Sequence, residues 1–240
     1  MNQDRRASVT AGALLIAGII GALAFGAVER PLLTATASLP SIVPDPDRLS
    51  AGGLIEIGTA IASAGIAIAL YPVLYKHSRG LALGAVAFRT IEAALYTVAA
   101  AITLSLPGLA REYAQAAPPG RSGIQATANA LAGVREDAIL AAVLAYITGA
   151  LMYYCVLYRT RLVPRWLTGW GIAAEALMLA ACVSAAFTRT PVTSYTILIL
   201  PIAAQEAAFA VWLILRGFSP HATRARTAAS PAQGANANTA

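Results

Sequence analysis

Six long stretches of this chain carry almost nothing that water would hold. They run approximately over residues 11–29, 51–72, 81–106, 138–158, 167–188 and 195–217. Each reaches the roughly 18–20 apolar residues that a helix needs to cross about 30 Å of hydrocarbon. A helix is the only open-ended choice there, because backbone groups in lipid must be paired within their own segment. Runs such as Ala141-Ala142-Val143-Leu144-Ala145 are continuous, so the alternation of a membrane barrel strand is missing. The expected fold is therefore all-α: a polytopic membrane protein, a bundle of six transmembrane helices spanning residues 1–218. Composition agrees. Only 12% of residues are charged and 58% are hydrophobic, against about 25% charged in an average soluble domain. That excludes a soluble enzyme and a disordered chain. It also excludes a nucleic-acid binder, despite a net charge of +6.

The first span also has the layout of a signal peptide: Arg5 and Arg6, an apolar run from Ala11, then small residues near Ala27. A retained helix is the expectation, since the run is about 19 residues long and five more spans follow. The connectors are punctuated by turn residues. Residues 30–50 hold Pro31, Pro40, Pro44 and Pro46 and read as an irregular loop. The longest connector is 107–137, with Pro107, Pro118, Pro119 and Gly120; from Ile124 its pattern turns helical and can run into the fourth span. Residues 219–240 are mostly Ala, Asn, Thr, Ser and Pro, a composition that cannot bury enough apolar surface to order itself, and a disordered cytoplasmic tail is expected.

Charge sets the orientation. Arg5, Arg6, Lys76, Arg79, Arg159, Arg161, Arg165, Arg216, Arg224 and Arg226 fall on one side of the alternating spans. Arg30, Arg48, Arg111, Arg121, Arg135 and Arg189 fall on the other, in longer loops that also hold most of the acids. Short basic loops stay in the cytoplasm, so both termini are expected inside, in a bacterial plasma (inner) membrane. Tyr71, Tyr75, Tyr153, Tyr154, Tyr158, Trp166 and Trp170 cluster at the inner ends of spans two, four and five, where an aromatic belt would lie.

Five ionisable residues sit inside the spans: Glu56, Arg89, Glu92, Glu175 and Glu206. Each costs roughly 2.5–3.5 kcal/mol at the bilayer centre on insertion scales, so each needs a partner or a use. At about 1.5 Å per residue, Arg89 and Glu175 lie about 12 Å from the cytoplasmic ends of their spans, and Glu92 and Glu206 about 16 Å. These four share one layer, whereas Glu56 stands apart, nearer the outer surface. Arg89 and Glu92 are i and i+3 and can pair on one helix face, with Tyr96 extending the stripe. Gln205 adjoins Glu206, and Pro201 can kink the helix just before them. One arginine against three carboxylates leaves acid in excess. Two uses fit: a polar clasp that fixes helix packing, or carboxylates that bind a cation or relay protons.

Catalytic signatures are absent. The two histidines, His77 and His221, lie in a connector and in the tail, so no haem-ligating pair and no Ser/His dyad faces the core. Cys155 and Cys182 lie at opposite ends of their spans, too far apart in depth for a disulfide. There is no zinc spacing, no nucleophile elbow and no phosphate loop. No metal and no cofactor is expected, and an enzyme is the weakest reading.

Three stretches carry a family resemblance: Leu70-Tyr71-Pro72-Val73-Leu74 with Ala87-Phe88-Arg89-Thr90-Ile91-Glu92; Leu157-Tyr158-Arg159-Thr160-Arg161-Leu162-Val163-Pro164-Arg165-Trp166-Leu167 with Trp170-Gly171; and Leu200-Pro201-Ile202-Ala203-Ala204-Gln205-Glu206 with Ala210-Val211-Trp212-Leu213-Ile214. In order and spacing these resemble the bacterial membrane family catalogued as domain of unknown function 4386, over nearly the whole chain to Phe218. The resemblance implies six or seven membrane helices and no assigned activity. It implies shared polar positions at Arg89, Glu92, Gln205 and Glu206, and a usually apolar one at Glu175. The expected function is an uncharacterised integral membrane protein, a structural or partner-binding bundle; the alternative is a small proton- or cation-linked transporter. The expected partners are the lipid bilayer and either a second copy of the chain or another membrane protein.

Overall fold

The computed structural model describes residues 3–29, 38–188 and 190–219, apart from the side chains at 29, 193, 196 and 199. The expected tail from residue 220, with Arg224, Arg226 and His221, lies outside the described residues, as do Arg30 and Arg189. Within them the chain is helical: α1 (Gln3–Glu29), α2 (Leu39–Ile42), α3 (Pro46–Tyr75), α4 (Arg79–Gln115), α5 (Pro118–Thr160), α6 (Arg165–Thr188) and α7 (Thr196–Leu215), with a 3₁₀ turn at Val192–Ser194. Among the described residues there is no strand. The protein is an all-α, multi-pass membrane bundle. Five helices, α1 and α3 to α6, are long and apolar enough to cross a membrane. The last, α7, adds a shorter apolar run at Leu200–Leu215.

Local sequence sets the helix ends. Asp45 caps α3 by accepting from the Arg48 N–H at 3.3 Å, with Pro46 at the first helical position, where its missing N–H costs nothing. Pro118 and Pro119 open α5 in the same way. That helix stops where Arg161 turns left-handed, at φ 56°. Pro164 then starts α6, its carbonyl accepting from Leu167 and Thr168.

Each long helix packs against its neighbours in chain order, and α7 returns to α1, so the six close a ring. The outer surface is apolar: Ile20, Leu23, Leu54, Ile61, Ile68, Leu83, Phe187 and Leu215 are all more than half exposed. Such a surface belongs in lipid, where large apolar patches carry no penalty. Inside are two apolar cores. One gathers Leu70, Leu74, Ala85, Tyr153, Tyr154, Leu167 and Phe209. The other gathers Ala99, Val143, Ile147, Met178, Cys182 and Ile202.

The six expected spans all correspond to helices, but the connectors differ. The expected 107–137 connector shrinks to residues 116–117, because α4 runs through Pro107 to Gln115 and α5 starts at Pro118. At 37 and 43 residues, these helices are about 55 and 65 Å long, well beyond the hydrocarbon. Their ends form a projecting hairpin with its own small core, in which Leu39, Ile42 and Leu49 pack on Leu106, Ala110, Ala128 and Ala132. The short α2 packs on α4, so the expected irregular 30–50 loop is partly helical. Proline ends a helix reliably only where no neighbour makes up for the lost bond. Here Leu106, Pro107 and Ala110 are buried, and packing carries the helix past the proline.

Candidate functional site

A polar layer separates the two apolar cores. On α4, Arg89 and Glu92 lie between Ala85 of the first core and Ala99 of the second; on α7, Glu206 lies between Phe209 and Ile202. Tyr146 of α5 touches both cores. Arg89 and Glu92 are 2% and 3% exposed. Arg89 Nη1 lies 3.1 Å from Glu92 Oε2, an ion pair whose angle departs from a straight hydrogen bond. The i, i+3 spacing brings the two together, as the sequence implies. Arg89 Nε donates to the Ser63 carbonyl at 3.4 Å, and the Ser63 hydroxyl donates to Glu92 Oε1 at 2.8 Å, so the pair is bound to α3. The Arg89 guanidinium also sits 4.7 Å from the Tyr146 ring centroid, a cation–π contact.

A second set ties α5, α6 and α7. The Tyr154 hydroxyl donates to Gln205 Oε1 at 2.7 Å, and Gln205 Nε2 donates to the Leu167 carbonyl at 3.2 Å. Gln205 and Tyr154 are fully buried. A Cβ at Gly171 would lie 2.8 Å from Tyr154 Cζ and 3.0 Å from Gln205 Nε2, so only glycine lets α6 come this close. Next to this set, the Tyr146 hydroxyl donates to Glu206 Oε1 at 2.8 Å.

Glu175 is the exception. It is 0% exposed, and neither carboxyl oxygen has a hydrogen-bond partner. Glu206, Arg89 and Glu92 lie within electrostatic reach, and the Tyr146 hydroxyl is nearby but turned to Glu206. The family resemblance sets Glu175 apart from the other acids; the fold buries it among them.

Glu56 does not stand alone. Its Oε1 lies 3.3 Å from Arg135 Nη2, with both side chains buried. Arg135 Nε donates to the Thr103 hydroxyl at 2.9 Å, and Thr103 donates to Glu56 Oε2 at 3.4 Å. Arg135 also faces the Phe25 ring and, through Nη1, Glu136. The expectation that Arg135 belongs to an outer loop is corrected: the extended α5 carries it into the bundle beside α3 and α4.

Of the named residues, Arg89, Glu92, Gln205, Glu206 and Glu175 come together, and Glu56 heads a separate pair. Sequence reasoning misses Ser63, Thr103, Arg135, Tyr146 and Tyr154. The helical pattern from Ile124 is the one signal that could reveal Arg135. The aromatic belt is corrected in part. Tyr75, Tyr158, Trp166 and Trp170 are exposed, but Tyr153 and Tyr154 are 0% exposed inside the ring. Pro201 lies within α7, which continues across it. Cys155 and Cys182 are unpaired thiols.

Chemically the arrangement can lock helices to one another, and it offers one carboxyl with no donor. Among the described residues, no three His, Cys, Asp or Glu side chains are arranged to hold a metal ion. The sequence pattern of the family described as "Domain of unknown function (DUF4386)" matches residues 10–217. No curated protein and no solved structure matches the chain.

Proposed function

The chain belongs to the family "Domain of unknown function (DUF4386)", whose pattern covers residues 10–217, and we propose that it is a non-catalytic bundle of the bacterial inner membrane. Its buried Arg/Glu/Gln seam sets helix packing, so that the ring presents a fixed surface to a membrane partner or a second copy. One observation carries this reading: the seam's hydrogen bonds run between helices, α4 to α3 through Ser63 and α7 to both α5 and α6 through Gln205. In lipid, where apolar surfaces have no reason to prefer one another over acyl chains, such bonds and close contacts are what fix a packing. Both termini are read as cytoplasmic, which the short basic connectors at Lys76–Arg79 and Arg159–Arg165 support.

The test is a mutant cycle on the seam, read as folded yield and thermal unfolding in detergent. Arg89→Gln strands the buried Glu92 carboxylate and is expected to cost about 3–5 kcal/mol. Arg89→Gln with Glu92→Gln is expected to recover part of that. Wild-type stability in the single variant would end the structural reading. A second reading, a proton-linked transporter, is favoured by the one acid outside the seam's bonding, Glu175.

A further inference from the structure

We propose that Glu175 is a proton-binding site, occupied as the neutral acid in the resting protein. A carboxylate only accepts hydrogen bonds, whereas a carboxylic acid also carries a proton of its own. No donor near Glu175 bonds to it: Tyr146, Arg89 and Tyr154 are committed elsewhere, and the Tyr153 hydroxyl, also buried, has no partner either. Tyr146 has one hydroxyl proton, and it is on Glu206. Arg89 faces Glu92 and the Ser63 carbonyl. Tyr154 is bound to Gln205. An ionised Glu175, fully buried and with neither oxygen satisfied, would be an uncompensated charge beside the acids Glu206 and Glu92. A bound proton removes that charge.

The groups facing it come from every packed element. These are Arg89 and Glu92 on α4, Tyr146, Tyr153 and Tyr154 on α5, Glu206 on α7, and Cys182 on α6 itself. Arg89 is the one cation among them. It faces three carboxylates, so two acids exceed the one cation, and of the three only Glu175 has no hydrogen bond at either oxygen. This site is separate from the structural seam: Gln205, Ser63 and the Arg89–Glu92 pair keep their bonds whether or not Glu175 holds its proton.

The experiment uses the full chain in vesicles of phosphatidylethanolamine and phosphatidylglycerol, treated with dicyclohexylcarbodiimide. This lipid-soluble reagent takes up a protonated carboxyl across its C=N bond and leaves a stable acylurea on the side chain. Peptide mass mapping then locates the adduct. The expected result is an adduct at Glu175, at least about tenfold more abundant at about pH 6 than at about pH 9. In Glu175→Gln the α6 adduct disappears while the melting temperature is kept or raised. No adduct at Glu175 at either pH overturns the proposal, as does labelling that ignores pH. Protection of Glu175 by sodium or potassium ions at fixed pH also overturns it and assigns a cation site instead. None of these outcomes bears on the seam, whose own test is the Arg89/Glu92 cycle.

Discussion

Gln205 holds three helices with one side chain. It accepts from Tyr154 and donates to the Leu167 carbonyl, all out of contact with water. Gln205→Leu keeps much of the volume but leaves the buried Tyr154 hydroxyl without its partner and removes the second bond to the Leu167 carbonyl, which α6 pairs in its own ladder. A stranded buried hydroxyl costs roughly 1–3 kcal/mol and a lost bond about 1 kcal/mol more, so Gln205→Leu should unfold at a clearly lower temperature than wild type in the same detergent. Tyr154→Phe strands only the amide oxygen and should lose less. An equal loss from the two would mean that the Leu167 bond contributes nothing. Gly149 gives a steric counterpart. A Cβ there would sit 3.0 Å from Arg89 Cγ and 3.3 Å from the Ala85 carbonyl oxygen. Gly149→Ala is therefore expected to push α5 from α4 at a cost of about 1–3 kcal/mol. At this scale the sequence reveals what lies within one helix turn. Arg89 and Glu92 are legible from their spacing, and Glu206 and Gln205 from polarity in an apolar run. Ser63, Tyr146 and Tyr154 are not, because their partners lie on other helices and only the packing brings them together.

Among the elements, the α4–α5 hairpin departs furthest from expectation. Its prolines and glycine read as a connector, yet Pro118 and Pro119 are helix starters and Pro107 is carried inside α4. Where each span crosses lipid is legible, because polarity is expelled there. How far a helix continues beyond lipid is not, because outside the hydrocarbon charged and apolar residues mix as in any soluble helix. The same misreading hides Arg135, a cation assigned to a loop that is in fact helix. The projecting part has a small core, so it should open separately from the membrane ring. Leu106 is fully buried in that core, and Leu106→Ala is expected to cost about 2–5 kcal/mol there. Amide hydrogen exchange should speed up in residues 39–42 and 118–130 and stay unchanged in residues 150–157 and 205–213. Faster exchange throughout would make the hairpin part of one cooperative unit.

At the scale of the whole molecule, the ring closes between the first helix and the last. Arg5 donates to the Leu213 and Ile214 carbonyls at 3.2 and 2.6 Å, and Ser8 donates to Leu213 at 2.5 Å, satisfying the free carbonyl end of α7. Asp4 pairs with Lys76 at the end of α3, and the Ser219 N–H reaches the Leu162 carbonyl just past α5. The start of α1 and the ends of α3, α5 and α7 therefore meet at one end of the bundle, and the hairpin marks the other. Geometry fixes which residues share an end; only the basic residues choose which end faces the cytoplasm. Exposed positions at the two ends separate these points. With Cys155 and Cys182 replaced by alanine, Ser122→Cys and Arg159→Cys place single thiols on the hairpin and at the basic end, both exposed. An impermeant maleimide added to intact cells should label position 122 and spare 159, and lysis should make both reactive. Labelling of 159 alone would keep the ring and turn it over in the membrane. Labelling of both from outside would break the ring itself, because α5 would then not cross and an odd number of crossings would separate Arg5 from Leu213, which their contact holds together.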